Sequence, residues 1–146
     1  MKIYIATDHA GFEMKNKIVE YVTSLGYTVE DMGALVYDSQ DDYPDFIAPL
    51  AEKVALDTDS RGIIFGGSGQ GEAIVANRVS GIRAVVYYGG TLDIPRLARE
   101  HNNANVLSVG ARFVSLEEIQ QVVQIFLETE FIGEERHVRR ITKIDK

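Results

Sequence analysis

The sequence predicts an α/β fold: one domain, built as a three-layer sandwich with a five-stranded parallel sheet and helices on both faces. Three observations lead there. Apolar, strand-like runs alternate with runs of helical period along the chain, the pattern that produces parallel sheets. Polar, glycine-containing clusters follow several strands, where such folds keep their ligand sites. The chain has 146 residues, and no linker, internal repeat or low-complexity stretch divides 1–146 into smaller units.

Lys2–Thr7 reads as a buried strand. Phe12–Leu25 reads as a helix, because Met14, Ile18, Tyr21, Val22 and Leu25 recur on one face, and Gly26 stands where a C-terminal cap belongs. Tyr27–Met32 is the second expected strand. A polar loop follows, from Gly33 to about Tyr43, rich in aspartate. Pro44 suits the first turn of the next helix, which carries Phe46, Ile47, Leu50, Ala51, Val54 and Ala55. Gly62–Phe65, Arg83–Tyr87 and Asn105–Val109 are the remaining strands. Helices are expected at Glu72–Arg78, Thr91–Glu100 and Ser115–Thr129; in the last, Ser115 caps and Glu118 is placed to complete a capping box.

Composition narrows the function. A net charge of −7 argues against nucleic acid as the main partner, since a phosphate backbone needs a basic surface. Without cysteine there is no thiolate nucleophile, disulfide or cysteine-bound metal, and the three histidines are too scattered for a metal motif. No apolar run reaches the ~18 residues of a membrane helix, and Met1 leads directly into a strand pattern. The expectation is a cytoplasmic protein with no membrane partner and no bound metal.

Three polar clusters follow strands: Thr7–Gly11, Gly66–Gly71 and Gly110–Arg112. Topology alone places them along one edge of the sheet. The segment Gly66-Gly67-Ser68-Gly69-Gln70-Gly71 holds four glycines and leads into a helix. It can be a tight turn or a cradle of backbone N–H groups. It fails two nucleotide-binding patterns. The dinucleotide spacing from Gly69 and Gly71 falls on Ile74, too bulky for the close approach, and Glu72 stands where a polyphosphate loop requires lysine. A carboxylate beside oxyanion donors suits proton transfer next to a carbonyl. Glu72 taken alone can equally be a helix N-terminal acid that favours the macrodipole. His101 can be a helix cap or an acid–base group. The basic run Arg136–Arg140 can be a solvated tail or an anion site.

Taken together, these motifs resemble the ribose-5-phosphate isomerase B family, which includes galactose-6-phosphate isomerase subunits and related pentose and tetrose phosphate isomerases. The resemblance runs through Asp8-His9-Ala10-Gly11-Phe12, Asp42-Tyr43-Pro44-Asp45, Gly66–Glu72, Ala76-Asn77-Arg78, Gly81-Ile82-Arg83, Leu97–Asn102, Asn105-Val106, Gly110-Ala111-Arg112 and Arg136–Arg140. It implies a Rossmann-like fold, no cofactor, a phosphorylated sugar as substrate, and a homodimer or dimer of dimers with shared active sites. It implies that Asp8 and His101 assist ring opening. It assigns Asn102, Ser68 and the loop at Gly67, Gly69 and Gly71 to the sugar and enediolate, and His9, Arg112, Arg136 and Arg140, with His137, to the phosphate.

The chain departs from the family in two places. Many members carry the proton-transfer cysteine where this sequence has Gly66; the resemblance is to the cysteine-less branch, in which the glutamate at the position of Glu72 is the base. The segment Tyr88–Pro95 is longer than is usual in the family. Ribose 5-phosphate is the expected substrate; the alternatives are allose, galactose or tetrose phosphate, or a non-catalytic phosphosugar-binding module.

Overall fold

Strands β1 (Lys2–Thr7), β2 (Thr28–Asp31), β3 (Arg61–Gly66), β4 (Ala84–Tyr87) and β5 (Val106–Gly110) form one parallel sheet in the order β2-β1-β3-β5-β4. The structure, a computed structural model, describes residues 1–145. The connecting helices are α1 (Phe12–Ser24), α2 (Pro44–Leu56), α3 (Gln70–Ala76), α4 (Asp93–Asn102) and α5 (Leu116–Glu128), and α6 (Glu135–Ile144) closes the described chain. None of these helices is long and apolar enough to cross a membrane.

Because side chains alternate along a strand, each central strand feeds two cores. Ile3 and Ile5, Ile63 and Phe65, and Leu107 and Val109 pack against α1 and α5 through Ile18, Val22, Ile119, Val122, Val123 and Phe126. Tyr4, Ala6, Ile64 and Val106 pack on the other face against Ile47, Leu50, Ala51 and Val54 of α2 and Ala76 of α3. This is the expected three-layer sandwich, with the five strands where the sequence places them.

Several details differ from the sequence reading. Helix α3 begins at Gln70, so Glu72 lies within its first turn rather than at its start. Helix α4 runs on to Asn102, which puts His101 and Asn102 in its last turn. Ser115 does cap α5, accepting a bond from the Glu118 N–H at 3.3 Å. The Glu118 carboxylate turns instead to the Tyr87 hydroxyl, 2.5 Å away, so only half of the capping box forms. Burial and this acceptor push the Tyr87 pKa up to about 12. The basic tail is helical: α6 buries His137, and the Arg83–Asp145 ion pair (2.7 Å) fastens its end.

The C-terminal end of α5 is held by two arginines. Arg61 donates to the carbonyls of Phe126 and Leu127, and Arg99 donates to Thr129 (3.1 Å) and Asn103 (2.9 Å). Two cations thus meet the negative end of the helix dipole. Burial lowers the pKa of both, Arg99 to about 10. Their guanidinium groups lie 5.7 and 5.9 Å from the Phe126 ring. Phe126→Ala removes a fully buried ring together with its cationic neighbours' packing. The expected loss is about 3–5 kcal/mol of stability in urea unfolding; a loss of less than about 1 kcal/mol would contradict this account.

Candidate active site

The sheet register sets the site. Thr7 of β1 lies beside Phe65 of β3, Phe65 lies beside Val109 of β5, and Gly66 pairs with Gly110. The residues that follow these strands therefore emerge together, as the topology argument requires. Asp8, His9, Ser68, Glu72 and Arg112 line one cavity of about 360 Å³, with Gly67 and Gly71 in its wall. Tyr43 joins them from the start of α2, its ring so close to Gly71 that a Cβ there would come within 2.8 Å of it.

The glycine loop is fastened to β5 through its carbonyls. Gly66 accepts from the Ala111 N–H (2.9 Å), Gly67 from the Arg112 N–H (3.2 Å), and Gly69 from the Ser108 hydroxyl (2.6 Å). Gly69 has φ +76°, a left-handed conformation suited to glycine, and from it the chain enters α3. With the carbonyls turned to β5 and the first-turn N–H groups of a helix lacking intrahelical partners, the loop is rich in available donors.

Glu72 is 5 % exposed. A Cβ built on Gly66 would lie 2.0 Å from its carboxyl carbon. The carboxyl group of Glu72 thus fills the space into which any side chain at position 66 would project. Burial raises its pKa above the ordinary carboxylate value; its own backbone N–H opposes the rise, and the nearby charge of Asp8 adds to it. A raised pKa makes the ionised form a stronger base than a free carboxylate.

Asp8 caps the short turn that follows β1, accepting from the Ala10 N–H at 2.9 Å. His9 sits beside it. Its Nδ1 is 2.6 Å from Oδ1 of Asp41, and its backbone N–H donates to the same oxygen at 3.0 Å. The hydrogen bond to Asp41 raises the His9 pKa; burial opposes it, the charges of Asp8 and Asp41 add to it, and Arg112 opposes it. Donor atoms of Asp8, His9 and Asp41 lie within 4.8 Å of one another, and the His9–Asp41 bond accounts for that spacing. Arg112 makes no ion pair among the described residues, which leaves a cation at the cavity wall.

The other expected site residues lie elsewhere. Helix α4 runs back from the end of β4 towards the start of β5, so His101 and Asn102 are at the N-terminal edge of the sheet. Five-residue β5 separates them from Arg112 by about 16 Å of strand. His101 stacks on His137, ring centroids 4.4 Å apart and planes 11° apart. Burial, with His101, Arg136 and Arg140 nearby, lowers the His137 pKa against the opposing charge of Glu134, and its buried Nε2 makes no hydrogen bond among the described residues. Arg136 is paired with Glu134 at 2.7 Å, and Arg140 is exposed on the same helix. One chain therefore assembles Asp8, His9, Ser68, Glu72 and Arg112, but not His101, Asn102, Arg136, His137 or Arg140, which form a second cluster. A larger cavity of about 690 Å³ also lies at this N-terminal edge, but its arginines are already bonded to carbonyl oxygens or to Asp145.

Sequence reasoning missed Asp41 and Tyr43 as site residues. The aspartates of the loop were visible, but their partners were not.

The family described as Ribose/Galactose Isomerase matches residues 3–144. The chain belongs to this family. It is thus an isomerase, and its relatives agree over nearly their whole length. Ribose-5-phosphate isomerase B of Mycolicibacterium paratuberculosis is 41 % identical over 141 residues, covering 97 % of this chain and 87 % of the relative. The crystal structure of ribose-5-phosphate isomerase B from Mycoplasma genitalium with bound ribulose 5-phosphate superimposes with a TM-score of 0.93 at 40 % identity, covering 99 % of this chain and 93 % of that one. The Thermotoga maritima ribose-5-phosphate isomerase gives a TM-score of 0.91 at 43 % identity, with 99 % and 97 % covered. The five-stranded parallel sheet of this isomerase is the fold of its family.

The contact between Glu72 and Gly66 can be tested directly. In Gly66→Ala the methyl group should expel the carboxyl from its buried seat. The Glu72 titration, read by carboxyl carbon NMR, should then move down towards the ordinary carboxylate value. An unmoved midpoint would show that the carboxyl is not held against residue 66.

Proposed function

We propose that this isomerase interconverts ribose 5-phosphate and ribulose 5-phosphate through an enediolate, with Glu72 carrying the proton between carbons 1 and 2. The observation that carries this reading is the seating of the Glu72 carboxyl, buried and with raised pKa, in the place of a side chain at position 66. The names of its relatives, and the ribulose 5-phosphate bound to one of them, support the substrate.

The steps balance without an external oxidant or reductant. Glu72 removes the proton from carbon 2 of the open aldose. The electrons of that bond form the carbon 1–carbon 2 double bond, and the carbonyl oxygen on carbon 1 becomes negative. Ser68 and the loop N–H groups stabilise it. The proton on the carbon 2 hydroxyl passes to the oxygen on carbon 1, while Glu72 returns its own proton to carbon 1, giving the ketose. His9 and Arg112 hold the phosphate from this chain.

The second cluster fits the same reaction if the site is completed by another copy of the chain. His101 of the partner subunit would pair with Asp8 for ring opening, Asn102 of the partner subunit would hold the sugar, and the Arg136–Arg140 helix would close on the phosphate. The position of these residues at the opposite sheet edge supports that division.

Glu72→Gln should lower turnover by about 10²–10⁴-fold while KM stays near that of the wild type, because the base acts on the chemical step. Exchange of the carbon 2 proton of labelled ribose 5-phosphate with solvent should vanish with it. Turnover within about tenfold of the wild type would remove Glu72 from this role. In the wild type, the acid limb of kcat should lie above the ordinary carboxylate range, since Glu72 must be ionised and its pKa is raised. Division of the site predicts complementation. Glu72→Gln and His101→Ala proteins, each inactive alone, should regain activity when unfolded and refolded together, because mixed dimers contain one intact site. No recovery in dimers shown to be mixed would rule out a shared site.

A further inference from the structure

We infer that Asp41 is a positioning residue for the phosphate end of the substrate, clamping His9 at both its backbone N–H and its ring Nδ1 so that the imidazole stays charged with Nε2 left for the phosphate. The inference rests on the proposed phosphate role of His9.

The geometry is specific. The loop that follows β2 returns to the end of β1, and one oxygen, Oδ1 of Asp41, receives both His9 bonds, at 3.0 and 2.6 Å. The Asp41 side chain is only 9 % exposed, and its Oδ2 is buried with no partner among the described residues. Closed off in this way, Asp41 is not among the residues that line the cavity. Whatever it does for the substrate, it does through His9.

The chemistry gives that contact a purpose. A neutral imidazole that donates from Nδ1 presents a bare acceptor at Nε2, which repels a phosphate dianion. A charged ring donates from both nitrogens. The groups around His9 favour the charged ring. Asp41 is in contact, and Asp8 lies 3.9 Å from Nδ1. Glu13 shares a neighbouring cavity wall with His9, the Tyr37 ring meets the imidazole edge-on at 6.5 Å, and burial and Arg112 oppose. Asp8 cannot substitute for Asp41, because its carboxylate is bonded to the Ala10 N–H and stands farther off. The upward displacement of the His9 pKa agrees with this balance.

Asp41→Asn keeps an oxygen for both His9 donors and removes the charge. Two readouts are needed: the His9 ring titration by NMR in the ligand-free protein, and the pH profile of KM for ribose 5-phosphate. In the variant, the His9 midpoint and the alkaline rise in KM should both move to lower pH. Each unit of movement reduces the charged fraction about tenfold on the alkaline side. At pH values below both midpoints KM should approach that of the wild type, and kcat should change little. Asp41→Glu should restore part of the displacement, and on a His9→Gln background Asp41→Asn should have no further effect on KM. A uniform rise in KM at every pH, with the His9 midpoint unmoved, would overturn the inference and reduce Asp41 to loop packing. A displaced midpoint without a displaced KM limb would also overturn it, through the phosphate role of His9, while leaving the isomerase reaction to be judged by Glu72→Gln.

Discussion

The site depends first on the parallel register of three strands. Thr7, Phe65 and Val109 stand in one row across β1, β3 and β5. Asp8, His9, Gly67, Ser68 and Arg112 stand one to three residues beyond that row, and Glu72 lies on the helix that follows β3. A slip of one residue in β3 would turn Ile64 towards α5 and Phe65 towards α2, and would withdraw the glycine loop from Asp8. The two hydrophobic cores that fix the register, one on each face, are therefore also what fixes the distance between Asp8, Glu72 and Arg112. Stability and function share the same contacts at this edge.

The opposite edge obeys a different logic. There α4 ends in His101 and Asn102, and α6 lies against it with one buried residue, His137, stacked on His101. The net charge of the protein is negative, yet the cations Arg136 and Arg140 sit on this lightly held helix, and Val138 and Ile144 of the same helix remain exposed. Apolar surface beside exposed cations, Arg136 paired only with the exposed Glu134, suits a second protein surface that brings an anion with it.

Much of this was legible in the sequence. The central strands are buried on both faces, so their apolar runs are unbroken and stand out, and Pro44 and Ser115 mark helix starts by local chemistry. The gathering of Asp8, Glu72 and Arg112 follows from strand order alone. Contacts across long loops were not legible. Asp41 meets His9 from 32 residues away, and nothing local distinguishes it from Asp38 or Asp42. Glu118 has the right spacing for its capping box, but the buried Tyr87 hydroxyl competes for its carboxylate. The helical form of the tail was hidden because its apolar residues, Val138, Ile141 and Ile144, are few among charges and find little of this chain to pack against. His101 and Asn102 could be named from the sequence, but their place at the end of α4, on the sheet edge away from Glu72, follows from how far that helix runs.

The packing of Glu72 against Gly66 also bears on descent. One volume is available, and either the acid at position 72 or a side chain at position 66 can occupy it. In this protein the acid fills it from the helix, and glycine at position 66 leaves the space free. The two positions are therefore an epistatic pair. A lineage passing from one solution to the other by single substitutions must cross either a crowded intermediate, with both groups competing for the space, or an empty one with neither. Residues 66 and 72, six positions apart, are in this sense constrained as a unit.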